Sequence, residues 1–126
     1  MRRRTLLAAA GAAAAPFVRT ARAEDAVDVS LVLAVDVSRS IDEDEARLQR
    51  EGYRLAVADA VVVAAIRGGM IGAIGLSYVE WAGIEYQRTI LPWRRIPGQA
   101  DADAWAQELA DAPRMSLSWT SISGAI

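Results

Sequence analysis

The sequence predicts an α/β fold with a parallel sheet, and three observations carry this prediction. Residues 29–35 read VSLVLAV, an apolar run too short for a membrane span and typical of a strand buried on both faces. A helical stretch with a capping sequence at its start follows directly, and a second apolar strand comes after it. A short link then leads to a third strand, which favours an antiparallel hairpin.

The first 23 residues have the organisation of an export signal. Met1–Ala23 begins with three arginines, continues with the apolar run Leu6–Ala15 and ends in a small-x-small cleavage site at Ala21–Ala23. Arg3 and Arg4 also fit a twin-arginine signal, so both export routes stay open. Because the apolar run is well below the ~20 residues that span a bilayer, we expect a periplasmic or secreted protein without a membrane anchor.

The remaining residues, 24–126, are predicted to form part of one domain with an acidic surface. This stretch holds nine arginines and sixteen acidic residues, which gives a formal charge of −7. Such a charge disfavours nucleic acid and anionic membranes as partners. The chain has no cysteine and no histidine, which excludes disulfide bonds, Ser-His-Asp and Cys-His catalysis, and ordinary zinc sites.

Hydrophobic periodicity and capping signals define the predicted elements. Ser40 and Glu43 match a capping box at the start of a helix that is expected to reach Ile66, with its last two turns deeply covered. The apolar stripe of this helix is predicted at Leu48, Leu55, Val62 and Ile66. The strands are predicted at Val27–Val37, Met70–Ala82 and Tyr86–Trp93, and a second helix at Gln99–Ala112.

Oxygen-bearing side chains follow the first predicted strand at a regular spacing. Asp36, Ser38 and Ser40 stand two residues apart where that strand ends. In a tight loop, alternate side chains can converge on one point, and oxygen-only ligands suit a hard divalent cation such as Mg²⁺. For Ser40 a purely structural role as a helix N-cap is an alternative that is compatible with metal binding.

In this context Asp36-Val37-Ser38-Arg39-Ser40 resembles the first motif of the von Willebrand factor type A (VWA) domain. In that family the motif begins the metal-ion-dependent adhesion site. The segment Thr120–Ile126, TSISGAI, is similar to the second motif of the family, in which the threonine is a ligand. Together with VEWAG at residues 79–83, these motifs look closest to a bacterial group of exported A-domain proteins of uncharacterised function. The resemblance covers Ala26–Ile126.

The resemblance implies a doubly wound α/β fold: a mostly parallel open sheet in the order 3-2-1-4-5-6, with an antiparallel edge strand. Ligands of such sheets bind beyond the carboxyl ends of the strands, where the order reverses. Asp36, Ser38 and Ser40 are expected on one side of that point, and Thr120 on the other. The third motif of the family, an aspartate after strand four, has no counterpart here. We therefore expect the N-terminal portion of the domain, truncated before strand four.

The function implied by the resemblance is that of an exported binding module. The chain is expected to hold Mg²⁺, with Mn²⁺ or Ca²⁺ as alternatives, at Asp36, Ser38, Ser40 and Thr120. A protein ligand with an exposed acidic side chain would complete the coordination shell, and no enzymatic activity is expected. Two alternatives stay open: a magnesium-dependent phosphoryl-transfer enzyme with Asp36 as nucleophile, and a truncated fragment without a function of its own.

Overall fold

The computed structural model describes residues 25–38, 41–84 and 86–114 of the chain. Three strands and three helices lie in this part: β1 (Val29–Asp36), α1 (Glu43–Ala58), α2 (Ala60–Arg67), β2 (Ile74–Ala82), β3 (Tyr86–Ile96) and α3 (Gln99–Asp111). The predicted α/β class is confirmed. None of the helices in the described ranges combines the length and the apolar character that crossing a membrane requires.

The strands form one mixed sheet in the order β1-β2-β3. β1 runs parallel to β2, with Asp36 opposite Trp81, and β2 runs antiparallel to β3. The parallel pair and the antiparallel hairpin are therefore as predicted. β3 extends to Ile96 and carries an extra residue between Leu91 and Arg94. Pro92 lies in this bulge, a position where a strand tolerates the missing backbone N–H.

The hydrophobic core covers one face of the sheet, and all three helices contribute to it. Its fully buried members include Leu76 and Tyr78 of β2 and Trp105 of α3. On the other face Val32 and Trp93 are exposed. The prediction that β1 is buried on both faces is thus wrong within the described residues, because no helix there covers the second face and no strand there pairs with the free side of β1.

The N-cap of α1 is Asp42, two residues beyond the predicted Ser40. The Glu45 backbone N–H donates to Asp42 Oδ1 at 2.8 Å, and the Asp42 N–H donates to Glu45 Oε2 at 3.2 Å. The acidic run that follows Ser40 contains this second capping box. Its carboxylates also interact favourably with the positive end of the helix dipole. The predicted box at Ser40 and Glu43 is therefore wrong.

The single helix predicted to reach Ile66 is interrupted at Asp59. The backbone of Asp59 is extended, and its carboxylate accepts from the N–H groups of Val61 at 2.8 Å and Val62 at 3.3 Å. An aspartate that bonds the backbone ahead of it competes with helix continuation. Asp59 therefore ends α1 and caps α2.

The inward face of α1 also differs from the predicted stripe. Leu48 is 66 % exposed and Leu55 is 57 % exposed, whereas Arg50 is buried. Tyr53 and Val57 pack against the core on the same side as Arg50. The predicted apolar stripe is wrong at these two leucines. Arg50 can occupy the inward face of α1 because the buried carboxylate of Glu80 pairs with it. In the predicted deeply covered end, Val63 is buried but Val61 is exposed, and Ile66 packs against the core.

β2 begins at Ile74 and not at Met70, because Asp28 holds the preceding residues in a loop. The Asp28 carboxylate accepts from the backbone N–H groups of Ile71 at 2.9 Å, Gly72 at 2.8 Å and Ala73 at 3.4 Å. Gly72 has φ +81°, in the left-handed region that favours glycine. One side chain therefore shapes the whole link between α2 and β2.

Substituting Gly69 with alanine is expected to lower the free energy of unfolding by about 1–3 kcal/mol, the usual cost of overpacking. A Cβ at Gly69 would lie 2.3 Å from Asp28 Oδ2, an oxygen already held by backbone amides. Urea denaturation measures the effect. Gly52→Ala on exposed α1, where the added Cβ meets nothing within 4 Å, is the matched control and should stabilise by about 0.5–1 kcal/mol. Equal effects of the two substitutions would contradict the prediction.

The contribution of Asp28 to stability is expected to depend on pH. Hydrogen bonds from backbone amides, that of Ile71 first, hold the pKa of Asp28 below its ordinary value of 3.8, and desolvation opposes them. Since the lowered pKa belongs to the folded state, the contribution is present above the unfolded pKa and is lost as pH falls through the folded pKa. Thermal melts of wild type and Asp28→Asn should converge at low pH, and Asp103→Asn on α3 is the control. A difference in Tm between wild type and Asp28→Asn that stays constant as the pH falls would contradict the predicted pH dependence.

Candidate functional site

The candidate site lies at the carboxyl end of β1, where Asp36 is the last residue of the strand. The Val37 N–H donates to the Trp81 carbonyl oxygen at 2.9 Å, so the β1 ladder with β2 continues one residue beyond Asp36. Val35 and Val37 are buried, whereas Asp36 is half-buried between them. Since side chains alternate along a strand, the Asp36 carboxylate lies on the face of β1 opposite to the core.

Asp36 and Ser38 are brought together by a turn. The Ser38 N–H donates to Asp36 Oδ1 at 2.8 Å, and the Ile41 N–H donates to the Ser38 carbonyl oxygen at 3.0 Å. An aspartate that accepts from the backbone two residues ahead forms a compact loop of its own. The carboxylate and the hydroxyl-bearing residue thus share one turn. Ser40 and Thr120, the other two predicted ligands, lie outside the described residues.

The chemistry of the donors decides which ions this turn suits. In the described ranges no group of three or more acidic side chains could hold a metal ion, and the chain has no histidine or cysteine. A site here would therefore combine one carboxylate with hydroxyl oxygens. Oxygen-only donors fit Mg²⁺, Mn²⁺ or Ca²⁺ and do not favour soft metals.

A buried ion pair beside the site was missed by the sequence analysis. Glu80 of β2 lies opposite Val35 in the register, and its carboxylate accepts from Arg50 Nε at 3.0 Å. Arg50 Nη2 lies 2.9 Å from the same Oε1 atom. The available signal was Glu80 itself, because a charged residue within an apolar strand requires a buried partner.

Tyr78 lies in the core next to this ion pair. Its ring packs edge-on against Tyr53, with centroids 5.7 Å apart, and against Trp105 at 6.2 Å. Burial raises the pKa of the Tyr78 hydroxyl well above its ordinary value, and the charge of Glu80 adds to the shift. Tyr78 is therefore neutral at physiological pH and serves as a packing residue.

An apolar cavity of about 520 Å³ lies towards the other end of β1. Leu31 and Leu33 of β1 line it together with residues of α1 and α2, and Asp28 is also one of its lining residues. Asp36 and Ser38 are not among its lining residues. The cavity is therefore separate from the candidate cation site.

The described part is thus a small α/β protein with an aspartate-serine turn at the end of its first strand. The chain belongs to the family described as a protein of unknown function (DUF1194), which matches residues 26–126. Comparison with curated proteins and with solved structures gave no match.

The family match corrects the resemblance drawn from the sequence. Residues 26–126 match DUF1194 and no VWA family, so the VWA assignment, with its bacterial group of A-domain proteins, is wrong. The assignment rested on short motifs and on an element order that α/β proteins share widely. The turn between Asp36 and Ser38 has a local cause in their own hydrogen bond.

Proposed function

We propose that the chain binds a divalent cation, Mg²⁺ in the first place, at the carboxyl end of β1. The observation that carries this proposal is the 2.8 Å hydrogen bond from the Ser38 N–H to Asp36 Oδ1, which joins the carboxylate and the serine in one turn. Ser40 and Thr120 are proposed as further ligands on the basis of their sequence positions. Mn²⁺ and Ca²⁺ suit the same oxygen donors.

The proposed partner is a protein that presents an acidic side chain to the bound cation. One carboxylate and neutral hydroxyl groups leave a divalent cation with net positive charge and with coordination positions that water or another carboxylate can fill. The chain after residue 23 has a formal charge of −7, which by itself repels acidic groups. Recognition of such a partner would therefore depend on the cation.

Asp36→Asn is expected to weaken Mg²⁺ binding by about tenfold or more, equivalent to ~1.4 kcal/mol. Asparagine retains a carbonyl oxygen that can accept from the Ser38 N–H, so the turn is preserved while the charge is lost. Calorimetric titration of the full chain with MgCl₂ and MnCl₂ measures the affinity. Asp59→Asn, at an aspartate that also accepts from the backbone two residues ahead, is the matched control.

Two results would contradict the proposal. The first is a wild-type chain that binds neither cation, and the second is unchanged affinity in Asp36→Asn. The proposal makes Asp36 a ligand and not a nucleophile, so incubation with an acyl phosphate is expected to leave the mass of the protein unchanged.

We also propose a doubly wound arrangement and export. The doubly wound arrangement is supported by the parallel pairing of β1 and β2 and by exposed apolar side chains on the second face of the sheet, such as Val32 and Trp93. Helices on both faces would cover them. Export to the periplasm or the medium is supported by the signal-like organisation of Met1–Ala23, which lies outside the described residues.

A further inference from the structure

The apolar cavity near the amino end of β1 is large enough to enclose a small ligand. Its volume of about 520 Å³ falls within the range of about 300–1,000 Å³ that is usual for ligand pockets. Leu33 of β1, Leu76 of β2, Val57 of α1 and Ile66 of α2 are among the residues that line it. Four elements of the fold therefore surround one apolar space.

The lining of this cavity is suited to hydrocarbon. Apart from Asp28, Tyr53 and Gly69, every residue that lines it is aliphatic. Apolar side chains around a cavity lack packing partners on one side, and water is held poorly where few polar groups can bond to it. A hydrocarbon group that enters the cavity therefore gains contacts and leaves water.

The cavity can be entered from solvent and accommodates an alkyl chain. Val29, Leu31 and Val62 line it and are among the exposed hydrophobic residues. A methylene group is about as large as a water molecule, whose share of the liquid is ~30 Å³. A chain of ten carbons therefore takes up about 300 Å³, which is less than the volume of the cavity.

Asp28 determines which head group the cavity favours. It is the one charged residue among the described residues that line the cavity, and it is exposed, so a head group beside it stays in contact with water. The backbone N–H groups of Ile71 at 2.9 Å and Gly72 at 2.8 Å hold its carboxylate in place and keep its pKa below the ordinary value. A fixed negative charge beside an apolar cavity attracts a cationic head group and repels an anionic one.

We propose that the cavity binds a single-chain amphiphile with a cationic head group, of which a primary alkylammonium ion is the simplest. The alkyl chain lies among the apolar side chains between the sheet and the helices α1 and α2, and the ammonium group lies next to the Asp28 carboxylate. The formal charge of −7 on the chain after residue 23 acts in the same direction. Asp36 and Ser38 do not line the cavity, so this inference is independent of the proposed cation site.

The head group is tested with three ligands of equal chain length: n-decylamine hydrochloride, n-decanol and sodium n-decanoate. Calorimetric titration of the full chain is carried out at pH 7 and low salt, below the concentrations at which these ligands form micelles. Decylammonium is expected to bind at one site about tenfold more tightly than decanoate, with decanol between them, because one exposed charge contributes up to about fivefold in either direction.

The role of Asp28 is tested by Asp28→Asn, which should bring the affinities for decylammonium and decanoate within about threefold of each other. Asp103→Asn changes the formal charge equally at a residue of α3 that does not line the cavity. It is the matched control and should keep the tenfold preference.

The location of the alkyl chain is tested by filling the cavity. Ala65→Phe places a ring at a lining position of α2 and is expected to weaken decylammonium binding about tenfold or more. Ala64→Phe places the same ring at an exposed position of the same helix that does not line the cavity, and it should leave the affinity unchanged. With wild type, each methylene group added from hexylamine to decylamine should lower the Kd about threefold, because buried hydrocarbon supplies the affinity.

Three results would overturn the inference. The first is a wild-type chain that binds none of the three ligands. The second is a wild-type chain that binds decanoate as tightly as decylammonium, or a tenfold preference that persists in Asp28→Asn. The third is wild-type affinity in the folded Ala65→Phe variant, which would place the ligand outside the cavity. Should Ala65→Phe fail to fold by circular dichroism, Ala56→Phe at a lining position of α1 decides the third point.

Discussion

Arg50→Met is expected to lower the free energy of unfolding by about 3–5 kcal/mol, the usual result of breaking a buried ion pair on one side. The substitution leaves the carboxylate of Glu80, a residue that is only 7 % exposed, without the guanidinium that donates to it. It also removes the donor to the Ala112 carbonyl oxygen. Urea denaturation followed by circular dichroism measures the change.

Adding Glu80→Leu to Arg50→Met should recover most of the lost free energy of unfolding, because the unpaired buried charge is then removed. Arg54→Met removes an exposed pair of the same chemistry on α1 and should change stability by less than about 1 kcal/mol. If Arg50→Met is as stable as the double variant, Glu80 does not depend on Arg50 for its burial, and the interpretation of this pair is wrong.

Trp105→Ala is expected to cost about 3–5 kcal/mol of stability, the range for removing a large aromatic side chain from a core. Trp105 is 0 % exposed and lies at the centre of the core, with its ring edge-on to Tyr78. Neighbouring side chains cannot fill a volume of this size without leaving their rotamers. Chemical denaturation with tryptophan fluorescence and circular dichroism as separate probes measures the loss.

Leu48→Ala provides the control, because Leu48 is 66 % exposed on the outer side of α1. It should cost less than about 1 kcal/mol, as surface substitutions usually do. A cost for Leu48→Ala as large as that for Trp105→Ala would mean that the outer side of α1 is covered in solution, contrary to its exposure in the described residues.

The parts of the fold that were predicted correctly have local causes. The apolar run of β1 predicts a strand by itself, and the short link between β2 and β3 predicts their antiparallel pairing. The end of α3 lies within one residue of the predicted end. The errors in α1 have distant causes. Arg50 faces inward because Glu80, thirty residues away, neutralises it, and no periodicity within the helix reveals that partner. The leucines of the predicted stripe then remain exposed.

The candidate site shows the same difference between features with local causes, which the sequence predicts, and features with distant causes, which it does not. The closeness of Asp36 and Ser38 was predictable because two residues and one backbone hydrogen bond form the turn. The ion pair of Arg50 with Glu80 beside the site depends on the packing of α1 against β2, which a single sequence does not display. The family assignment failed for a related reason: a five-residue pattern carries little information about the chain around it.

The hydrogen bonds of the Asp28 carboxylate to the loop before β2 affect how β1 is aligned with β2. β1 carries Leu31, Leu33 and Val35 on one side and Val32 and Ala34 on the other, so hydrophobicity discriminates weakly between its two faces. A slip of one residue would exchange those faces and turn Asp36 towards the helices. The bonds of Asp28 to residues 71–73, together with the 2.8 Å bond from its own N–H to the Ala73 carbonyl oxygen, allow one alignment. Asp28 thus sets the register of β1 against β2. The face of the sheet on which Asp36 lies therefore depends on a residue eight positions earlier in the chain.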